Sequence, residues 1–298
     1  MINKFTFGKP FNTEAVVFLP QDSRTFTDDS KNFPKGKISI DSSAAQNSHD
    51  SKKSFELEIQ LTQKTIIFGL GQNMGGINKR GKIYNCWCTD EFSHTEEKTS
   101  LYGAHPFIIL YEPDTKDAYG LFFDYPGLLQ IDAGFTSHNI LKVTAQEPHI
   151  ALYYIEGNSL SHISHQFRTM IGKSYVPPEW ALGYMQSRWG YGSEADLYRV
   201  YDNYKKAGIP LDALFLDIDY MDSFRDFSVN KNNFTDFAKT VADFKKKHIH
   251  IVPIIDAGIK VENADPDKEG LEKDFFCKKA DGTPFAAGVW PGLSHFTD

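Results

Sequence analysis

Hydrophobic and polar residues alternate with a period of two through much of the first half of the chain. Residues 55–61 read Phe-Glu-Leu-Glu-Ile-Gln-Leu, the pattern of a β-strand with one buried face. Short strands separated by regular turns are typical of an antiparallel sandwich, so we predict a β-sandwich domain over 1–155. The Ser-rich, polar residues 41–53 are predicted to form a mobile loop within it. Further short apolar runs that predict strands occupy 65–68, 106–111, 119–123, 140–143 and 149–155.

The periodicity changes after residue 155. Leu160, Ile163, Phe167 and Met170 recur at helical spacing, and Gly172 follows as a stop signal. We therefore predict a linking helix within 156–176 and place the second domain after it.

Strand-like and helix-like patterns alternate beyond Pro178. Short connections between such segments indicate parallel βα units. The residues from 177 to 298 are therefore predicted to form an α/β domain. Its predicted strands are 180–185, 211–216 and 249–255, and its predicted helices are 193–207 and 234–247.

Composition and charge exclude several classes of protein. Lys and Arg number 32 and Asp and Glu number 39, so a net charge of −7 argues against binding to nucleic acid or to an anionic membrane. No apolar run reaches the roughly 18 residues that a membrane span needs, and the N-terminus has no signal-like apolar run. Cys86, Cys88 and Cys277 are too few for a disulfide framework and too poorly spaced for a zinc site. We expect a cytoplasmic protein with no metal and no cofactor.

Carboxylates and aromatic residues gather where the predicted parallel strands end. Asp217 and Asp219 follow the second strand and project on the same side if that strand continues. Trp189 follows the first strand and Asp256 the third. Carboxylates accept hydrogen bonds from neutral hydroxyls, and aromatic faces pack on C–H surfaces, so this combination suits a sugar. The alternatives are that Asp219 or Asp222 only caps a helix or pairs with Arg225, and that Trp189 packs in the core or at the rim.

Seven short motifs, spread in order over nearly the whole chain, make the interpretation specific. The motifs are 68–71 (FGLG), 101–107 (LYGAHPF), 120–124 (GLFFD), 177–183 (PPEWALG), 187–191 (SRWGY), 217–221 (DIDYM) and 289–292 (VWPG). Together they resemble glycoside hydrolase family 31, the α-glucosidase and α-xylosidase family, and most of all its compact bacterial α-glucosidases. The resemblance implies a β-sandwich followed by a (β/α)₈ barrel, with the terminal sugar bound at the barrel rim.

The resemblance also implies roles for individual residues. Asp217 would bind the outer hydroxyls of the sugar, as the first Asp of the family's Asp-x-Asp-Tyr-Met stretch does. Ile218 and Ile254 would line the pocket, while Trp189 and Trp290 would form its aromatic walls.

Three further acids are implied at the margins of this pocket. Asp90 matches the acidic residue that a loop of the sandwich contributes on the aglycone side, although Glu91 is adjacent. Asp219 and Asp256 are expected to stand behind the residues that touch the sugar.

The chain departs from the family at its catalytic residues. Family members use two Asp residues in a retaining mechanism, and the nucleophile lies in a Trp-x-Asp-Met-Asn-Glu stretch on the next barrel strand. The acid/base lies much further along the family's barrel, and neither its motif nor that of the nucleophile occurs here. The residues from Pro177 onward make about half of the roughly 250 that a barrel requires. We expect the front portion of a barrel, with the catalytic residues beyond Asp298.

The leading hypothesis is therefore an exo-acting α-glucosidase that releases terminal glucose from oligosaccharides or other α-glucosides, with this chain inactive by itself. The alternatives are an α-xylosidase of the same family and a non-catalytic sugar-binding or assembly fragment. An unclosed barrel leaves sheet edges and apolar surface uncovered, so we also expect the chain to self-associate.

Overall fold

A computed structural model of the chain describes residues 1–40, 55–256 and 258–297. The chain divides into two compact units, Met1–Ser174 and Tyr175–Asp298. The loop predicted at 41–53 lies outside the described residues.

The first unit consists of two β-sheets packed face to face. All strand pairs are antiparallel except β1 with β2, so the predicted sandwich is confirmed. One sheet has the order β2-β1-β11-β8-β7-β5 and comprises β1 (Ile2–Phe7), β2 (Arg24–Thr27), β5 (Ile66–Gly69), β7 (Phe107–Tyr111), β8 (Ala118–Asp124) and β11 (Ile150–Gly157). The other has the order β3-β4-β10-β9-β6 and comprises β3 (Lys37–Ile40), β4 (Phe55–Gln60), β6 (Ile83–Cys86), β9 (Leu129–Ala133) and β10 (Ile140–Ala145).

The alternation in β4 explains how its sheet is oriented. Phe55, Leu57 and Ile59 are buried in the core between the sheets. Glu56 lies on the other face, where its carboxylate forms an ion pair with the Lys142 ammonium of β10 at 2.8 Å. One face is therefore held by apolar burial and the other by a cross-strand charge pair.

A single long helix, α1 (Leu160–Ile171), covers the outer face of the six-stranded sheet. The Ser159 hydroxyl accepts a hydrogen bond from the His162 amide at 3.1 Å, and Gly172, with a φ of 94°, ends the helix. Ile163 and Met170 are buried against the sheet. The helix belongs to the first compact unit.

The second unit begins with a three-stranded parallel sheet in the order β12-β13-β14. The strands are β12 (Met185–Arg188), β13 (Ala213–Leu216) and β14 (His250–Pro253), and the connecting helices are α2 (Glu194–Ala207) and α3 (Phe237–Lys246). Within the described residues the sheet does not close, which agrees with the predicted start of a (β/α)₈ barrel.

The two helices pack on one face of this sheet. Leu214 and Leu216 of β13 form a buried cluster with Leu197 of α2 and Phe244 of α3. Residues of the opposite face, such as Val252, lie outside that cluster. The sheet is therefore covered asymmetrically.

The strand predicted at 180–185 is wrong. Glu179–Leu182 is a 3-10 turn, and the strand starts only at Met185. Pro178 precedes the turn, and the Trp180 ring stacks on His250 with centroids 3.9 Å apart. A contact with a residue far along the chain thus fixes a segment whose apolar composition indicated a strand.

A small antiparallel sheet after β14 was not predicted. It has the order β15-β17-β16 and is accompanied by α4. Its elements are β15 (Gly258–Lys260), α4 (Asp265–Glu272), β16 (Ala286–Val289) and β17 (Gly292–Phe296).

Candidate functional site

The register of the parallel sheet brings three predicted site residues to one edge. Arg188, Leu216 and Pro253 are the last residues of their strands and lie in register. The residues that follow them are Trp189, Asp217 and Ile254. The Ile254 amide donates to the Leu216 carbonyl at 3.0 Å, which extends the alignment one position past the strands.

The backbone turns sharply at Asp217. Strand β13 ends at Leu216, and Ile218–Tyr220 forms a 3-10 turn. The strand therefore does not continue through Asp217 and Asp219, which was the condition for their side chains to project on the same side. Oδ1 of Asp217 accepts the Ile218 amide at 2.7 Å. Its other oxygen, Oδ2, has no protein partner within the described residues and can accept a hydrogen bond from a ligand. Oδ2 of Asp219, by contrast, is buried without a hydrogen-bond partner in the described part of the chain.

Tyr220 braces this turn, a role that sequence reasoning missed. Its hydroxyl donates to the Ile254 carbonyl at 2.9 Å and so joins the ends of two neighbouring strands. Ile218 is only 5% exposed, which leaves it little surface for a ligand, whereas Ile254 is half-buried. The signal was present in the sequence, because Tyr220 belongs to the Asp-x-Asp-Tyr-Met motif.

The two tryptophans assigned as pocket walls are both exposed. Trp189 is 69% exposed and is followed by Gly190, whose φ of 101° allows a tight turn. Trp290 is 67% exposed and lies in the turn between β16 and β17. Neither indole packs in a core, so both offer aromatic faces to a ligand.

Asp256 has an acidic neighbour that the sequence analysis did not single out. Asp226 is buried, and this burial raises the pKa of its carboxyl group, while the negative charge of Asp256 adds to the rise. The position of Asp256 beside a buried acid is compatible with the supporting role expected for it.

Asp90 lies in the first unit, on the segment between β6 and β7. The Tyr102 hydroxyl donates to its Oδ1 at 2.7 Å, and this hydrogen bond raises the pKa of the Tyr102 phenol. The neighbouring Glu91 accepts from Lys98 at 2.6 Å and from the Ser93 amide, and these bonds lower the pKa of Glu91. Glu91 thus fixes its own loop, and Asp90 is the acid with more freedom to meet a ligand.

A metal centre and a membrane-spanning helix are both absent from the described residues. No three His, Cys, Asp or Glu side chains in the described ranges are placed to hold a metal ion together. None of the helices among those residues has the length and hydropathy required to cross a bilayer.

A sandwich followed by parallel βα units, with acidic and aromatic residues at the strand ends, is an arrangement that glycoside hydrolases use. Comparison with protein families agrees on both parts of the chain. Residues 5–132 match the glycosyl hydrolase 31 N-terminal galactose mutarotase-like domain, and residues 174–298 match the family 31 TIM-barrel domain. The chain therefore belongs to glycosyl hydrolase family 31.

Individual relatives are glycosidases of this family. Alpha-glucosidase 2 of Bacillus thermoamyloliquefaciens is 34% identical over 78% of this chain and 29% of its own length. Alpha-xylosidase 1 of Arabidopsis thaliana is 32% identical over 82% of this chain and 27% of its own. A GH31 dextranase of Flavobacterium johnsoniae, solved in complex with glucose, superposes with a TM-score of 0.76 at 26% identity, over 84% of this chain and 30% of that one. The chain thus spans about 30% of the length of these relatives.

Proposed function

We propose that this chain forms the N-terminal portion of an exo-acting α-glucosidase that releases terminal non-reducing glucose with retention of configuration. The observation that carries the proposal is the alignment of Trp189, Asp217 and Ile254 at one edge of the parallel sheet. The similarity to an α-glucosidase over most of the chain supports it.

In this proposal the second unit contributes binding rather than bond cleavage. Oδ2 of Asp217 accepts hydrogen bonds from sugar hydroxyls, while the Trp189 and Trp290 faces pack on the C–H surfaces of the ring. For Asp90, whose Oδ1 accepts a hydrogen bond from the Tyr102 hydroxyl, the role on the aglycone side that the resemblance implies stays a prediction.

Retaining cleavage requires a nucleophile and an acid/base about 5–5.5 Å apart. We propose that both lie in the part of the family fold that this chain does not span, so the chain alone should be inactive. Purified chain, free of host enzyme, should release no glucose from maltose or from nitrophenyl α-glucoside. Sustained release would contradict this and would direct the search for catalytic acids to Asp217, Asp219 and Asp256.

An α-xylosidase is the second candidate, because one of the relatives carries that name. The two activities differ in whether the pocket admits the CH₂OH group of glucose. Since Ile218 is buried, Trp189 and Ile254 are the residues left to crowd that group. An enzyme in which the remaining barrel units of a family 31 relative complete the barrel of this chain should hydrolyse nitrophenyl α-glucoside faster than α-xyloside, and the reverse order would favour the xylosidase.

A non-catalytic sugar-binding fragment is the third candidate. Calorimetric titration of the chain with maltose, run beside the activity assay, separates it from an inactive fragment without affinity. We also propose a cytoplasmic location, which the three free cysteines support. Recovery of the protein from an extracellular or periplasmic fraction would contradict that location.

A further inference from the structure

The first unit contains a cavity of about 550 Å³ on the outer side of its six-stranded sheet. The end of β5, the start of β7 and the end of β8 form its floor, and α1 closes one side with Phe167 and Ile171. Thr13 and Ala15, from the segment after β1, contribute to its lining. None of the residues assigned to sugar binding lines it.

The apolar part of the cavity is an aromatic wall. The Phe107 and Phe167 rings stack with centroids 3.7 Å apart, and Phe122 meets Phe167 edge-on at 5.3 Å. These contacts join the helix to the sheet, so the wall is formed before any ligand arrives. A volume of this size with mainly apolar lining is characteristic of a small-molecule site.

The polar part of the cavity carries a negative charge and no permanent positive charge. The Asp124 carboxylate accepts a hydrogen bond from the Thr13 hydroxyl through Oδ1. Neither Lys nor Arg is among the lining residues. The His105 ring packs directly on Gly71, so closely that a Cβ atom added there would lie 2.3 Å from the ring. This packing holds the ring at the cavity.

We propose that this cavity binds a small amphiphilic cation, namely an aromatic or aliphatic body with one ammonium group. The body would pack against the Phe107 and Phe167 side chains, and the ammonium would pair with Asp124. A cation beside aromatic faces and a carboxylate is favoured over a neutral or anionic isostere. Three segments that carry the family resemblance, 68–71, 101–107 and 120–124, all contribute to this cavity.

The test is a charge series on the 298-residue chain, measured by calorimetry and by NMR at pH 7.5. The probes are 1-naphthylmethylamine, 1-naphthalenemethanol and 1-naphthoate, which share one ring system. We expect 1:1 binding in which the amine is about tenfold tighter than the alcohol, with the naphthoate weakest. Asp124→Asn should abolish the preference for the amine, while Asp117→Asn, at the other end of β8 and exposed, should preserve it.

A second pair of variants tests the location. Ala104→Leu places a larger side chain in the cavity and should abolish binding of every probe, whereas Ala280→Leu, at an exposed position of the second unit, should not. Circular dichroism checks folding, and Ala15→Leu replaces Ala104→Leu if that variant unfolds. The proposal is overturned if no probe binds up to its solubility limit, if the filled variant binds as wild type does, or if the amine and the naphthoate bind equally.

Discussion

Substitutions at Asp217 separate its local structural role from its proposed role in binding. Oδ1 of this residue accepts the Ile218 amide at 2.7 Å where strand β13 turns into the 3-10 segment. Asparagine keeps an oxygen that can accept this bond, whereas alanine does not. A side-chain bond that caps a backbone amide contributes about 1 kcal/mol. Asp217→Ala should therefore lower the free energy of unfolding of the second unit by about 1 kcal/mol, and Asp217→Asn should leave it nearly unchanged.

Urea denaturation followed by tryptophan fluorescence measures this difference. Trp180 lies in the second unit and its ring stacks on His250, so its fluorescence reports the unfolding of that unit. Asp222→Ala is the control, because the Asp222 side chain is 61% exposed and its ion pair with Arg225 is 3.5 Å long. Surface ion pairs of this kind contribute little to the free energy of unfolding. A loss for Asp217→Asn as large as that for Asp217→Ala would refute the reasoning, since the charge itself would then stabilise the fold.

Four further predictions concern the two units. Phe244→Ala should lower the free energy of unfolding of the second unit by about 3–5 kcal/mol, because Phe244 is fully buried and stacks on Tyr198. Phe275→Ala, at a position 53% exposed, should lower it far less, and equal losses in urea denaturation would contradict the packing described. At pH 8 a thiol reagent should label exposed Cys88 and leave Cys86 unreacted, because burial raises the pKa of the Cys86 thiol to about 12. Labelling of Cys86 before Cys88 would be inconsistent with its burial. Because the unfolded Cys86 thiol loses its proton at lower pH than the native one, the free energy of unfolding should fall as the pH rises from the ordinary thiol value of 9.0 towards 12. This fall should be less steep in Cys86→Ala. Light scattering should give a mass above the 33.8 kDa of one chain, since β12 and β14 are both edge strands that can pair with another copy. Val252→Lys, on the face of the sheet away from the helices, should reduce the measured mass. A monomer at high concentration would show that the second unit closes its own surface.

Local patterns were sufficient for the elements whose boundaries are set locally. Alternation predicted β4, and the stop at Gly172 marked the end of α1. The pattern failed where a distant contact decides the conformation. Trp180 sits in a turn because its ring stacks on His250, and nothing near Trp180 in the sequence announces that contact.

The same distinction holds at the candidate site. The motifs located Asp217 and Trp189, and the sheet register then placed both at one edge. The motifs did not predict how deeply each residue is buried. Ile218 was expected to line the pocket, but its side chain is almost fully buried. The raised pKa of Asp226 likewise depends on burial and on the nearby Asp256 rather than on local sequence.

The central claim is that Asp217 binds the terminal sugar. It is tested most directly by kcat/KM for nitrophenyl α-glucoside in an enzyme in which the remaining barrel units of a family 31 relative are joined to this chain and complete its barrel. Hydrogen bonds to a charged group contribute about 1.5–3 kcal/mol, so Asp217→Asn should lower kcat/KM by about 10- to 150-fold. Asp222→Asn, at the exposed neighbouring turn, should leave it within about twofold. Equal effects of the two substitutions would contradict the assignment of Asp217 to the sugar.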